Sequence, residues 1–474
     1  MSRWVCLVVA CLVTTTFTLL ASADDAPRRQ PNVIVILADD LGYGDLGCYG
    51  KTGVPTPHID SLAAGGVRCT SGYVTAAVCS PSRAGLITGR YQQRFGFEFN
   101  AGPLKRSEQQ PEMGLPLNQK TLADHARAAG YATGMIGKWH LGLSPKFHPM
   151  QRGFSEYFGF RFGETYYIDP SAPDAITFDA QPTAIQRDSR GRADALMRGQ
   201  SPVEEKSYLT DAFAREAVSF IDRHQQQPFF LYVPFSAVHK PLQATKKYFD
   251  RFPHIKEENN RIHAAMTSAL DDAVGSILAE LRRTKLHDDT LIFFLSDNGG
   301  GVWGAISDNG PLRSGKMSYF EGGIRVPFIV SWPSRLPAGK TFDSPVSSLD
   351  ILPTVLTAIG SEVPKEADGV DLIPYLTGTK NTPPHDYLCW RAGAVDAIRK
   401  GNWKLLRAKD KGLWLYDLSK DLSETTNIAA SHAEVVAELR SLLDQWNKNL
   451  VNPMWSPQTG MSLTVDGVKI VFDY

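Results

Sequence analysis

Cysteine is scarce in this chain, its charges cancel, and long apolar runs are missing. Each shortage excludes something. Six cysteines stand among 474 residues, and two of them, Cys6 and Cys11, fall in the N-terminal stretch. The remaining four, Cys48, Cys69, Cys79 and Cys389, allow two bridges in three connectivities. That is no disulfide framework for a chain of this length, so an apolar core must hold the fold. Lys+Arg and Asp+Glu both number 50. A net charge of zero gives no bulk basic field, which excludes nucleic acid as a general partner; any anion must be attracted locally. Beyond the N-terminus no apolar run is long enough to span a bilayer, so stable membrane insertion is excluded as well. Internal repeats and low-complexity tracts are absent.

The N-terminus reads as a cleaved leader. Arg3 precedes the mostly apolar run Val5 to Leu20, and Ala21-Ser22-Ala23 offers a small-x-small cleavage site before Asp24-Asp25. The alternative is a membrane anchor, against which the shortness of the run argues. Residues 1–23 are therefore expected to direct export, leaving a periplasmic or secreted product.

Buried strands follow, each ending in polar residues. Asn32 to Ala38 is a continuous β-branched run, as in a strand covered on both faces of a parallel sheet. It stops at Asp39-Asp40. Pro228 to Phe235 is a second such strand and runs into His239, and Thr290 to Ser296 is a third, stopping at Asp297-Asn298. A capping box at Thr121 to Asp124 starts a helix that leads to a short strand and then to Gly137-Lys138-Trp139-His140. Any one of these endings taken alone is an ordinary polar turn. Two strands that deliver Asp-Asp and Asp-Asn to one sheet edge, however, make an oxygen-rich site for a hard cation, where open α/β sheets bind their ligands.

Between these strands, Tyr208 to His224 and Arg261 to Arg283 carry helical apolar stripes. Residues 161–205 form a long polar excursion of the kind that shapes pockets. From Gly360 to Pro384 the composition is that of a linker. After it come short strands at Asp386 to Trp390, Ala397 to Ile398, Asn402 to Arg407 and Leu413 to Leu418, then a helix from Ala433 to Asn449. The expected organisation is an α/β catalytic domain, 24–384, with a mixed and mostly parallel central sheet flanked by helices. A smaller C-terminal subdomain, 385–474, follows with its own antiparallel sheet.

The stretch Cys79-Ser80-Pro81-Ser82-Arg83, closing in Thr88-Gly89-Arg90, carries the most specific signal. Taken bare, Cys79 is a disulfide partner or a small buried side chain. In its pattern it resembles the signature of the type I sulfatases, and the likeness covers nearly the whole mature chain in the family's order of motifs. It includes Asp39-Asp40, Lys138-x-His140, His239, Asp297-Asn298 and Lys316, and the C-terminal Trp403-Lys404-Leu405 and Leu415-Tyr416-Asp417-Leu418. The resemblance implies an alkaline-phosphatase-like fold. It implies that a formylglycine-generating or sulfatase-maturing enzyme oxidises Cys79 to formylglycine, and that one Ca²⁺ is held by Asp39, Asp40, Asp297, Asn298 and the residue at position 79. It further implies catalytic roles for Cys79, Arg83, Lys138, His140, His239 and Lys316, and a sulfated small molecule or glycan as substrate, N-acetylgalactosamine 6-sulfate among the analogues. Val238 departs from the proline common before that histidine, and Phe160 to Glu164 match no substrate-specific pattern. The rival readings are a phosphoester or phosphonate hydrolase with the same nucleophile, and a silent carbohydrate-binding relative in which Cys79 stays a thiol.

Overall fold

The run at 32–38 forms the strand Asn32–Ala38, and its position explains its composition. Val33, Val35 and Leu37 point into one apolar layer, while Ile34, Ile36 and Ala38 point into the other. With both faces dry, alternation is lost and every position must be apolar. Each such side chain is worth about 2 kcal/mol when removed from water. The computed structural model describes Met1 and residues 30–50, 53–102, 109–178, 195–301 and 306–474. The expected leader, with Cys6 and Cys11, lies outside these residues, as does 179–194 of the polar excursion.

Asn32–Ala38 pairs in parallel with Thr290–Ser296 on one side and with Phe229–Pro234 on the other. The parallel order continues through Ala132–Lys138 to Glu156–Phe160. Arg325–Ser331 is reversed: it runs antiparallel both to Thr290–Ser296 and to Val67–Tyr73. The eleven-stranded sheet is therefore mixed and mostly parallel at its centre. Helices Leu209–Arg223 and Glu258–Arg283 cover one face, and Cys79–Thr88, Leu122–Ala128 and Ile351–Ala358 cover the other. The capping box at Thr121 is present, with the Asp124 amide on the Thr121 hydroxyl and the Thr121 amide on the Asp124 carboxylate.

A second sheet takes the strands in chain order: Leu388–Ala392, Val395–Lys400, Trp403–Ala408 and Gly412–Asp417, all antiparallel. One of its faces contributes Trp390, Leu406, Trp414 and Tyr416 to the main apolar layer. The other contributes Ile398, Leu405 and Leu415 to a small core under helix Ala433–Lys448. Residues 360–384, linker-like in composition, are seated on the body: Leu372 and Leu376 are buried in the main layer around the short helix Ile373–Thr377. A hairpin, Gly460–Val465 with Val468–Asp473, closes the chain and packs Phe472 against Tyr319 and Phe320. Sequence reading did not anticipate it. No disulfide joins the described residues; Cys48, Cys69, Cys79 and Cys389 are all free thiols.

Candidate active site

The parallel strands end level with one another, so their next residues meet. Ala38 lies opposite Ser296 in register, and the ladder runs one step further, with the Asp39 amide on Ala237 O at 2.9 Å and the Asp297 amide on Ala38 O at 3.0 Å. Asp40 then turns back with φ +62°, and Asn298 reaches across to donate to Asp40 Oδ1 at 2.7 Å. The next strand but one, Ala132–Lys138, brings Lys138 to the same edge, its ammonium 2.5 Å from Asp39 Oδ2.

Helix Cys79–Thr88 starts over this edge and is buried along its whole length. Cys79 Sγ sits 3.4 Å from Asp39 Oδ1, 3.8 Å from Asp40 Oδ1 and 3.2 Å from Lys316 Nζ. One turn on, Arg83 grips Asp297 through Nε at 2.9 Å and Nη2 at 2.8 Å, with Asp39 at 3.3 Å and the Lys138 carbonyl at 2.9 Å. Lys316 comes from the loop before Arg325–Ser331 and places its ammonium 2.7 Å from Asp40. His239 Nε2 is 3.6 Å from Asp40 Oδ2, while its Nδ1 is 2.6 Å from the Lys240 carbonyl, which fixes the proton of a neutral ring on Nδ1. His140, with φ +59°, follows Lys138 out of the strand and is buried; its Nδ1 has no hydrogen-bond partner among the described residues. Every residue singled out from the sequence as catalytic or metal-binding thus lies at this one edge.

Three carboxylates, Asp39, Asp40 and Asp297, face three cations, Arg83, Lys138 and Lys316, all of them buried. The surroundings shift their protonation. Burial disfavours the Asp40 carboxylate, but Lys316 and His239 outweigh it and hold that carboxyl below its usual range. Burial and then Asp39 push Asp297 up to about 6 against the pull of Arg83. Lys316 is raised despite its burial, because Asp40 favours its charge. Burial, with Lys316 beside it, lowers His239 to about 3; burial and Lys138 lower His140 too. Both imidazoles are therefore neutral at physiological pH.

The donor set fits a hard cation. Ligand atoms of Asp39, Asp40, Cys79 and His239 all lie within 4.8 Å of one another. The side-chain carbonyl oxygen of Asn298 is buried beside them with no hydrogen-bond partner among the described residues, an expensive state for a polar atom unless a ligand satisfies it. The carboxylate oxygens of Asp39 and Asp40 and the side-chain oxygen of Asn298 are the donors of this set that suit Ca²⁺.

Other residues of the site were not legible in the sequence. Ser80 donates to the His140 carbonyl at 2.6 Å and, through its amide, to Asn100 Oδ1 at 3.1 Å. The Tyr167 hydroxyl donates to the His239 carbonyl at 2.8 Å, tying down the His239 loop. Phe162 meets the His140 ring edge-on, and a Cβ on Gly163 would come within 2.8 Å of that ring. The stretch that matched no pattern is thus the wall behind His140. Its signal was the glycine and aromatics, whose contact partner only the fold supplies.

Two family profiles match the chain: Sulfatase over residues 31–361, and N-sulphoglucosamine sulphohydrolase, C-terminal, over 315–449. The chain belongs to the sulfatase family, and its relatives are sulfuric ester hydrolases. The N-acetylgalactosamine-6-sulfatase of Sus scrofa is 36% identical over 79% of this chain and 71% of its own length. Arylsulfatase A of Bos taurus is 35% identical over 91% and 89% respectively. Among solved structures, Ps i-CgsB in complex with k-i-k-neocarrahexaose superposes with a TM-score of 0.80 at 35% identity, covering 90% of this chain and 95% of that one. The alkaline-phosphatase-like architecture expected from the motifs is the one these structures share.

Proposed function

We propose that the protein hydrolyses sulfate esters of carbohydrates. The nucleophile is formylglycine made from Cys79, and one calcium ion is held by Asp39, Asp40, Asp297, Asn298 and position 79. The observation that carries this reading is the setting of Cys79. Its sulfur lies among the carboxylates and 3.2 Å from Lys316, and burial, then Asp297 and Asp39, push its thiol well above the usual range. Formylglycine, if formed at position 79, would supply as its hydrate one hydroxyl as the nucleophile and a second through which sulfate could be released. Calcium, when bound, supplies Lewis-acid charge.

The chain's own side chains do the remaining work. Arg83 orients Asp297 and Asp39 and stabilises anionic charge at position 79. Lys138 and Lys316 neutralise the sulfate oxygens as charge moves outward. His239 offers an Nε2 lone pair to receive a proton, its other nitrogen being committed to the Lys240 carbonyl; His239 and His140 are the two proton carriers, one taking the proton of the diol and one delivering a proton to the leaving oxygen. The carbohydrate substrate is supported by the name of the Sus scrofa relative and by the oligosaccharide complex of the solved relative.

In this reading the catalytic unit is 24–384 and the appended unit 385–474. A leader at 1–23 would export the protein to the periplasm or beyond. No helix among the described residues is long and apolar enough to cross a membrane. The maturing partner is a formylglycine-generating or sulfatase-maturing enzyme. The test is turnover of aryl sulfate against aryl phosphate, followed by a panel of sulfated sugars. Sulfate is the expected preference, and a preference for phosphate would favour the phosphoester or phosphonate hydrolase. No turnover of either, with an intact thiol at position 79, would favour the silent binding protein.

A further inference from the structure

Lys404, Glu321 and Glu424 take no part in the chemistry above, yet all three are completely buried and touch one another. Lys404 extends from the C-terminal sheet and places Nζ 2.9 Å from Glu321 Oε1 and 2.8 Å from Glu424 Oε1. Glu424 Oε2 accepts the Glu321 amide at 2.6 Å. On its far side Glu321 accepts from the Tyr73 hydroxyl at 2.5 Å and from Arg325 at 3.3 Å.

The same turn of the C-terminal subdomain holds the other end of the loop that carries Lys316. Arg313 donates to the Glu424 carbonyl while its guanidinium lies 4.3 Å from the centre of the Phe320 ring. Ser423 Oγ donates to Pro311 O at 2.6 Å, and the Gly322 amide closes the loop on Arg313 O at 2.9 Å. Within that grip, the backbone is fixed to the site by the Lys316 amide on Gly300 O at 3.0 Å and the Met317 amide on Ala77 O at 2.7 Å. Glu424 itself stands at φ +52°, a left-handed conformation that a non-glycine residue keeps only when its surroundings impose it.

We infer that Lys404 and Glu424 are positioning residues: through Glu321 and Arg313 they set the loop that aims Lys316 at Asp40 and position 79, so that site competence depends on the docked C-terminal subdomain. A lysine that neutralises developing charge must be held to within a fraction of an ångström. The inference rests on the sulfatase reading only for its kinetic arm.

The test is a double-mutant cycle. Glu424→Gln keeps the shape and should lower kcat for aryl sulfate about tenfold, with KM nearly unchanged. In the Lys316→Ala background the same substitution should change kcat by less than about twofold, because the group being positioned is gone. An equal loss in both backgrounds, or no loss in either, overturns the inference. Arg313→Met, which keeps the stem over Phe320 but frees the Glu424 carbonyl, serves as the second variant should Glu424→Gln not fold. A crystal structure of the variant that folds gives a readout without turnover. Lys316 Nζ displaced from Asp40 supports the inference, and Nζ still at 2.7 Å contradicts it even if the parent proves not to be a sulfatase.

Discussion

At the scale of single residues, the site is a balance of charges that one substitution tips. Cys79→Ser preserves volume and burial but provides no aldehyde. It should leave the fold intact and lower kcat at least about a hundredfold, since a serine would be left as a stable sulfate ester; steady-state and burst kinetics check this. Asp297 is pushed up to about 6 by burial and Asp39, a condition that a bound cation relieves. Asp297→Ala should therefore lose calcium measured by atomic emission, and added calcium should no longer raise its melting temperature. In the parent, calcium at about a hundredfold excess over Kd should stabilise the fold by about 2.7 kcal/mol. Residues that act through their own backbone neighbours were readable here: the Cys79 motif, and the acids that end the runs at 32–38 and 290–296. Ser80, Asn100 and Tyr167 were not, because their partners are 60, 20 and 72 residues away in sequence and nothing local marks the pairing.

At the scale of elements, the sheet's edge is built by close backbone approach. Gly137 has φ +135°, and a Cβ there would lie 2.0 Å from the Pro234 carbonyl oxygen of the neighbouring strand. Gly137→Ala should destabilise the protein by about 2–4 kcal/mol and, by shifting Lys138, lower kcat as well; urea unfolding with parallel kinetics measures both. Gly137, next to Lys138, is the local mark of this approach in the sequence. Strands buried on both faces were legible for a related reason, since five or more apolar residues in a row leave few other places to go. Direction was not: the reversal of Arg325–Ser331 is invisible in a run that carries no alternation. The terminal hairpin was missed because most of Gly460–Val465 remains exposed or half-buried, so only weak patterning marks it.

At the scale of the whole molecule, buried ion pairs fasten the segment between the two sheets to the body. His385 Nε2 lies 2.8 Å from Asp350 Oδ1, and the same carboxylate accepts the Ser347 and Val370 amides. Burial opposes a charged imidazole, but Asp350 outweighs it and raises the His385 pKa above 6.5. A raised histidine contributes stability that is fully present below about 6.5 and is lost as pH climbs through its folded value. Unfolding free energy should therefore fall above pH 6.5, and His385→Gln should flatten that slope. An unchanged slope would remove His385 from the account. The linker-like composition of 360–384 concealed these attachments, since Pro, Gly and charge describe the segment's surface and not the buried Leu372 and Leu376.

The most direct measurement of the central claim is the mass of the tryptic peptide from Cys69 to Arg83, taken from protein that turns over aryl sulfate. The account predicts the mass of formylglycine at position 79, either as the aldehyde or as its hydrate. An intact thiol in fully active protein would contradict it.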